Sequence, residues 1–152
     1  PKADAGQVLA RLKKVAPKLA EQYDKRLKTI KDEMAISDDI KPVENDDSLH
    51  GFEPASDDCK VKQIALRMEK PPTGAKRFTV NKKYYGALSK TGQDGLILHE
   101  IVYEHFNKLG QTDSRQVRKF IAHIFAKDFD EESSGKFWSF VKELKIPLYP
   151  EP

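Results

Sequence analysis

The stretch Gly-Leu-Ile-Leu-His-Glu-Ile-Val-Tyr-Glu-His-Phe, residues 95–106, decides the fold, because its apolar residues recur with a helical period on nearly every side. Only Glu104 and Lys108 are expected to face water. A helix that is apolar almost all round is normally buried. We therefore expect it to carry His99 and Glu100 into the interior, where ionisable side chains cost free energy unless they are partnered and often mark a site.

Composition indicates a single globular domain. The chain has 152 residues and a net charge of +3, from 27 basic and 24 acidic residues with no arginine-rich run. Nucleic acid is therefore not implied, whereas a mild positive balance suits an anionic polymer such as a bacterial wall. No apolar run approaches the ~20 residues of a membrane span. The lone Cys59 excludes an internal disulfide. The start at Pro1 is typical of a processed or trimmed chain, which is compatible with export.

Residues 1–36 are expected to form an N-terminal helical segment, because apolar residues recur every three or four positions up to Met34. Pro17 interrupts this stripe, either by bending one long helix or by opening a second. Residues 37–59 are acidic and lack either period, which predicts a loop or linker. His50 lies in this segment and is interpreted as a solvated loop histidine.

Residues 60–146 are expected to form the core domain, followed by an extended tail at 147–152. Alternation in 60–69, a Pro-Pro-Thr-Gly turn and the return at 77–80 predict an antiparallel hairpin. A short helix at 84–88 should precede the central helix. The predicted fold class is α+β: a mostly helical single domain with a short antiparallel β-hairpin.

The predicted central helix ends at Gly110, which supplies a left-handed stop. Thr112, Asp113 and Ser114 are expected to cap a third helix, with Gln116 at capping-box spacing from Asp113. Ser114 is therefore interpreted as a helix-start residue rather than a nucleophile. A last helix is expected to follow Ser133 and Ser134.

The run Leu96-Ile-Leu-His99-Glu100-Ile-Val-Tyr103 resembles the active helix of zincin-type metallopeptidases, in which L-x-x-H-E-x-x-H holds zinc. The resemblance implies His99 as a metal ligand and Glu100 as a general base. Tyr103 stands where the second histidine belongs, and a catalytic zinc needs three protein ligands. We therefore expect no metal site, no cofactor and less than one tightly bound zinc per chain.

The same segment is similar to a set of uncharacterised exported bacterial proteins, in which an L-H-E-x-x-Y helix is followed by a glycine, a serine and an arginine-bearing helix. Here these residues are Gly110, Ser114 and Arg118. This resemblance implies a periplasmic or secreted location.

The favoured function is an exported, cell-envelope-associated domain that hydrolyses peptidoglycan or protein, with Glu100 and His99 catalytic. Tyr103, Glu104, Arg118 and Ser114 are candidate substrate-binding residues, and we expect them to form one site with Glu100 and His99. One alternative is a metal-free, lysozyme-like glycan hydrolase with Glu100 as the general acid. Another is a non-catalytic interaction domain in which the His-Glu-Tyr cluster is structural.

Overall fold

The computed structural model describes residues 4–37, 43–44, 62–63, 65–67 and 78–151. Within these ranges the chain forms six α-helices, which are α1 Ala5–Val15, α2 Pro17–Ile30, α3 Lys82–Ala87, α4 Lys90–Lys108, α5 Arg115–Phe125 and α6 Ser134–Glu143. Five short strands accompany them, which are β1 Met34–Ser37, β2 Val43–Glu44, β3 Lys62–Gln63, β4 Ala65–Arg67 and β5 Phe78–Asn81. The predicted α+β class with mostly helical content is confirmed.

The two N-terminal helices begin at local capping signals. Asp4 accepts a hydrogen bond from the Gln7 amide, and the Gln7 side chain accepts one from the Asp4 amide, which completes a capping box at the start of α1. Pro17 occupies the first turn of α2, where its missing N–H costs nothing. Pro17 therefore begins a second helix and does not bend one long helix.

The helical stripe of the N-terminal segment ends earlier than predicted. Helix α2 stops at Ile30, a 3₁₀ turn covers Lys31–Glu33, and Met34 begins strand β1. Met34 packs against the core from a strand and not from a helix. Its spacing from Ile30 fits a helix, but pairing with β5 satisfies the backbone of this segment in extended form.

Strand β5 is the centre of a small mixed sheet with the order β1-β5-β4. It pairs in parallel with β1, with Met34 opposite Phe78 and Ile36 opposite Val80. It pairs antiparallel with β4, with Ala65 opposite Val80. The connection at 68–77 lies outside the described residues, so the predicted turn is not described, and the parallel neighbour was not predicted.

Helix α4 is the centre of the molecule. Ser89 accepts a hydrogen bond from the Gly92 amide at its start. At its end Gly110 has φ +100°, and the Gln111 and Gly110 amides donate to Phe106 and Asn107, which is a Schellman motif. All residues from 91 to 107 are buried or half-buried. The predictions of a buried helix and of its glycine stop are confirmed.

One hydrophobic core joins the N-terminal helices to the rest. Residues of α1, α2, α4, α5 and α6 belong to it, including Leu12, Tyr23, Val102, Phe120 and Phe137. Helices α1 and α2 therefore share one core with α4, α5 and α6.

The C-terminal tail also contacts the helical body. In the predicted tail, Glu151 accepts a hydrogen bond from the Leu19 amide. Within the acidic segment Val43–Glu44 pairs antiparallel with Lys62–Gln63, while His50 and Cys59 lie outside the described residues. No described helix combines the length and the apolar character that a membrane crossing requires.

Candidate functional site

The predicted pair His99 and Glu100 lies on α4, and both side chains are mostly buried. Their exposed fractions are 22% and 15%, and His99 Nδ1 is 3.7 Å from Glu100 Oε1. One turn further on, the Tyr103 ring meets the His99 ring edge-on at a centroid distance of 5.9 Å. His99 Nδ1 has no hydrogen-bond partner among the described residues. The structure thus brings the three residues together as a compact cluster on one side of α4.

Helix α5 contributes Ser114 and Arg118, the other two residues predicted from the second resemblance. The Arg118 guanidinium donates a hydrogen bond of 2.8 Å to the Ser114 hydroxyl, and Ser114 is buried. Ser114 occupies the N-cap position of α5, although its side chain accepts no capping hydrogen bond there. The prediction that Ser114 starts a helix is confirmed.

The predicted capping box at the start of α5 is wrong. Asp113 accepts from the Arg115 amide and forms an ion pair with the Arg115 guanidinium at 2.6 Å. The Gln116 side chain donates instead to the Leu144 carbonyl, 28 residues away. Its long-range partner outweighs the local capping position, because the Leu144 carbonyl follows α6 and needs a donor.

A groove beside this cluster, which we call the α5 groove, runs between α4, α5 and α6. Its volume is about 640 Å³, and it is lined by His99, Arg118, Lys119, Ile121, Ala122, His123 and Phe140. These described lining residues include two cationic side chains, Arg118 and Lys119, and no carboxylate. Of the predicted residues, His99 and Arg118 reach this groove, whereas Glu100 is not part of the lining.

His123 is a groove residue that the sequence analysis did not select. Its ring stacks on Phe140 at a centroid distance of 3.8 Å, and its Nε2 is 2.6 Å from Glu132 Oε2. Glu132 is only 4% exposed at its side chain. The position of His123 off the apolar stripe of α5 was a usable signal, but Phe140 and Glu132 come from segments whose approach the spacing does not reveal.

Glu104 lies elsewhere, which corrects two expectations. It is buried rather than exposed, and its carboxylate forms a two-pronged pair with Arg26 of α2, with contacts of 2.8 and 3.1 Å. Arg26 also pairs with Glu33. The helical period predicted an exposed Glu104, because a local pattern does not reveal a partner such as Arg26, which is 78 residues away in sequence. Glu104 therefore faces α2 and does not join the cluster around His99.

The residues around His99 do not fit the zinc site of a zincin. Tyr103 occupies the place of the second histidine, and its ring stands edge-on to the His99 ring. Among the described residues no group of three or more His, Cys, Asp or Glu side chains is arranged to hold a metal ion. No chemistry through a metal is derived for this cluster, and the expected lack of stoichiometric zinc stays a prediction.

Comparisons with protein-family models, with curated proteins and with solved structures find no match for this chain.

Proposed function

We propose that this chain is a non-catalytic interaction domain of the bacterial cell envelope, and that its α5 groove binds a carboxylate-bearing envelope polymer such as peptidoglycan. One observation carries the proposal. The groove combines Arg118 and Lys119 with the apolar side chains of Ile121 and Phe140, and none of its described lining residues is a carboxylate. Sites for ligands are typically concave and mostly apolar, with a few polar groups that orient the ligand.

The charge of the whole chain supports the same ligand class. A net charge of +3 favours association with a polyanion at low ionic strength. The exported location is proposed from the resemblance of the His99, Tyr103 and Arg118 pattern to exported bacterial proteins. In this proposal the Arg118–Ser114 hydrogen bond holds the guanidinium at the groove, and Tyr103 supports the His99 ring.

The test is binding of the purified chain to isolated peptidoglycan at two salt concentrations. Lys119→Glu should weaken binding about fivefold, because reversing one exposed charge changes the binding free energy by roughly 1 kcal/mol. Lys136→Glu is the matched control, since Lys136 is exposed on α6 and lies outside the groove lining. Absence of binding, or equal effects of the two variants, would contradict the proposal.

Hydrolysis at His99 and Glu100 is the second candidate, and one observation favours it. His99 lines the groove, and Glu100 is 3.7 Å from it, so the pair could reach a polymer bound there. The lysozyme-like version is less well supported, because Glu104, the second candidate carboxylate, is paired with Arg26.

The two candidates are separated by Glu100→Gln. We expect neither the wild type nor the variant to digest peptidoglycan or an unfolded protein. Thermal melts of both proteins establish that the variant is folded. Digestion by the wild type that disappears in a folded Glu100→Gln variant would replace the interaction domain with a hydrolase.

A further inference from the structure

A second groove lies between α2 and α4, and we call it the α2–α4 groove. Its volume is about 400 Å³, and its lining includes Tyr23, Lys25, Arg26, Glu104, His105 and Lys108. His105 is six positions after His99, so the two histidines point about 120° apart around α4. None of the residues that line the α5 groove lines this one.

The proton of the Tyr23 hydroxyl determines the tautomer of the neutral His105 ring. Tyr23 is 1% exposed, and burial raises the pKa of its hydroxyl, which therefore stays protonated. Tyr23 Oη is 2.7 Å from His105 Nδ1, the acceptor that the described residues offer it. A buried hydroxyl rarely leaves its proton without an acceptor. Tyr23 therefore donates to Nδ1, and the neutral ring of His105 carries its own proton on Nε2.

This assignment restricts what His105 can do in the groove. With Nδ1 accepting and Nε2 protonated, the ring offers neither a lone pair for a metal nor a basic nitrogen for proton abstraction. It offers a single N–H donor. Nε2 makes no hydrogen bond to another described residue, and its ring lines the groove.

The charges around the donor favour an anion. Among the described lining residues, Lys25, Arg26 and Lys108 carry three positive charges against the single carboxylate of Glu104. Glu33, which also pairs with Arg26, is not part of the described lining. Lys25 also contacts Glu21 at 3.1 Å, but both side chains are more than half exposed, and such a pair rearranges at little cost.

We infer that the α2–α4 groove is a second binding site, separate from the α5 groove, for an anionic oxygen group such as a carboxylate or a phosphate. One ligand oxygen accepts the hydrogen bond of His105 Nε2–H. The Lys25 and Lys108 ammonium groups supply the charge that holds the ligand, while Tyr23 is a positioning residue that fixes the tautomer.

The experiment follows the ¹⁵N and ¹H signals of the His105 ring during titration of the full chain with inorganic phosphate or with acetate, at constant ionic strength and pH 7.5. Nε2 should be the protonated nitrogen before any ligand is added, and its signals should shift with saturation. Saturation by phosphate alone identifies a phosphate site, and saturation by both identifies a general site for anionic oxygen. Linear, unsaturated shifts with both ligands, or a proton on Nδ1, overturn the inference.

Matched variants locate the ligand. Lys108→Gln should weaken binding about three- to fivefold, since one charge contributes roughly 1 kcal/mol. Lys28→Gln is the control, because Lys28 is also an exposed lysine of this region but pairs with Asp24 and does not line the groove.

Tyr23→Phe should also weaken binding, and should produce a mixture of His105 tautomers in the same spectra. Equal effects of the two lysine variants would overturn the site, and Lys119→Glu should leave this titration unchanged.

Discussion

At the scale of single residues, the Arg26–Glu104 pair contributes most clearly to stability. Glu104 accepts two hydrogen bonds from the guanidinium, which also lies 5.8 Å from the centre of the Phe78 ring. Glu104→Gln should lower the free energy of unfolding by about 1–2 kcal/mol, because the variant leaves the Arg26 guanidinium with one charged partner, Glu33, in place of two. Urea denaturation measures this change.

Glu21→Gln is the control for that measurement. Glu21 forms an exposed pair with Lys25, and its loss should change the free energy by no more than about 0.5 kcal/mol. Equal effects of the two substitutions would show that the Arg26–Glu104 contact contributes little.

His105 should make stability depend on pH in a defined window. Burial, and to a smaller extent Lys108, lowers the pKa of His105 below its ordinary value of 6.5. The unfolded chain therefore binds this proton at a higher pH than the folded chain. The stabilisation is complete above about pH 6.5 and declines as the pH falls below it, at no more than about 1.4 kcal/mol per pH unit.

His105→Gln removes this titration and should make the free energy of unfolding depend less steeply on pH just below pH 6.5. The carboxylate of Asp94 does not interfere there. Burial alone would raise the pKa of Asp94, but the hydrogen bonds from Lys90 and Ala5 outweigh burial and lower this pKa below 3.8. The stabilisation that Asp94 contributes is therefore lost only at more acid pH. Parallel pH profiles for wild type and variant, from urea denaturation, would contradict the assignment.

The sequence predicted which residues of α4 cluster but not what each one contacts. His99, Glu100 and Tyr103 are neighbours on one helix, so their proximity follows from the helical period alone. The partners of Glu104 and His105 come from α2, about 80 residues earlier. No local pattern gives the rotation at which two distant helices meet.

At the scale of elements, a glycine inside α4 and the glycine that follows its end should respond oppositely to alanine. Gly110 has φ +100°, a conformation that an alanine adopts only with strain, so Gly110→Ala should lower stability by about 1 kcal/mol. Gly95 lies inside α4, and an added Cβ there would meet no atom within 4 Å. Gly95→Ala should therefore raise stability by about 0.5–1 kcal/mol. Thermal melts compare the two variants with the wild type. Shifts of the melting temperature with the same sign would contradict this prediction.

Helix ends were predictable where the capping partner is local, as at Gly110 and Ser133, and not where it is distant, as at Gln116. Strand β1 escaped prediction for a similar reason. Met34 continues the spacing of the helical stripe, and only its pairing with β5 makes the segment extended. An interaction across 44 residues therefore overrides the local period.

At the scale of the whole molecule, the helices should unfold as one cooperative unit. The Trp138 indole donates to the carbonyl of Val15, so its fluorescence reports contact between α1 and α6. Transitions followed by Trp138 fluorescence and by helical circular dichroism should coincide. Two separate transitions would instead support an independent unit at residues 1–36.

Leu12→Ala tests the same point by mutation. Leu12 of α1 is fully buried, so the substitution should lower the free energy of unfolding by about 3 kcal/mol. The midpoints of the fluorescence and circular-dichroism transitions should fall together. Lys13→Ala is the neighbouring control, since Lys13 is exposed and should change stability by less than about 0.5 kcal/mol. A cost for Leu12→Ala as small as that of the control would show that α1 is dispensable to the core.

The hydrogen bond from the Ala5 amide to the Asp94 carboxylate joins positions 89 residues apart. On a translating ribosome, which adds about 5–20 residues per second, α1 waits roughly 4–18 s before Asp94 is even synthesised. A helix of 11 residues is marginal by itself in water. The apolar face of α1 therefore stays uncovered by α4 for seconds during synthesis, which leaves it accessible to a chaperone.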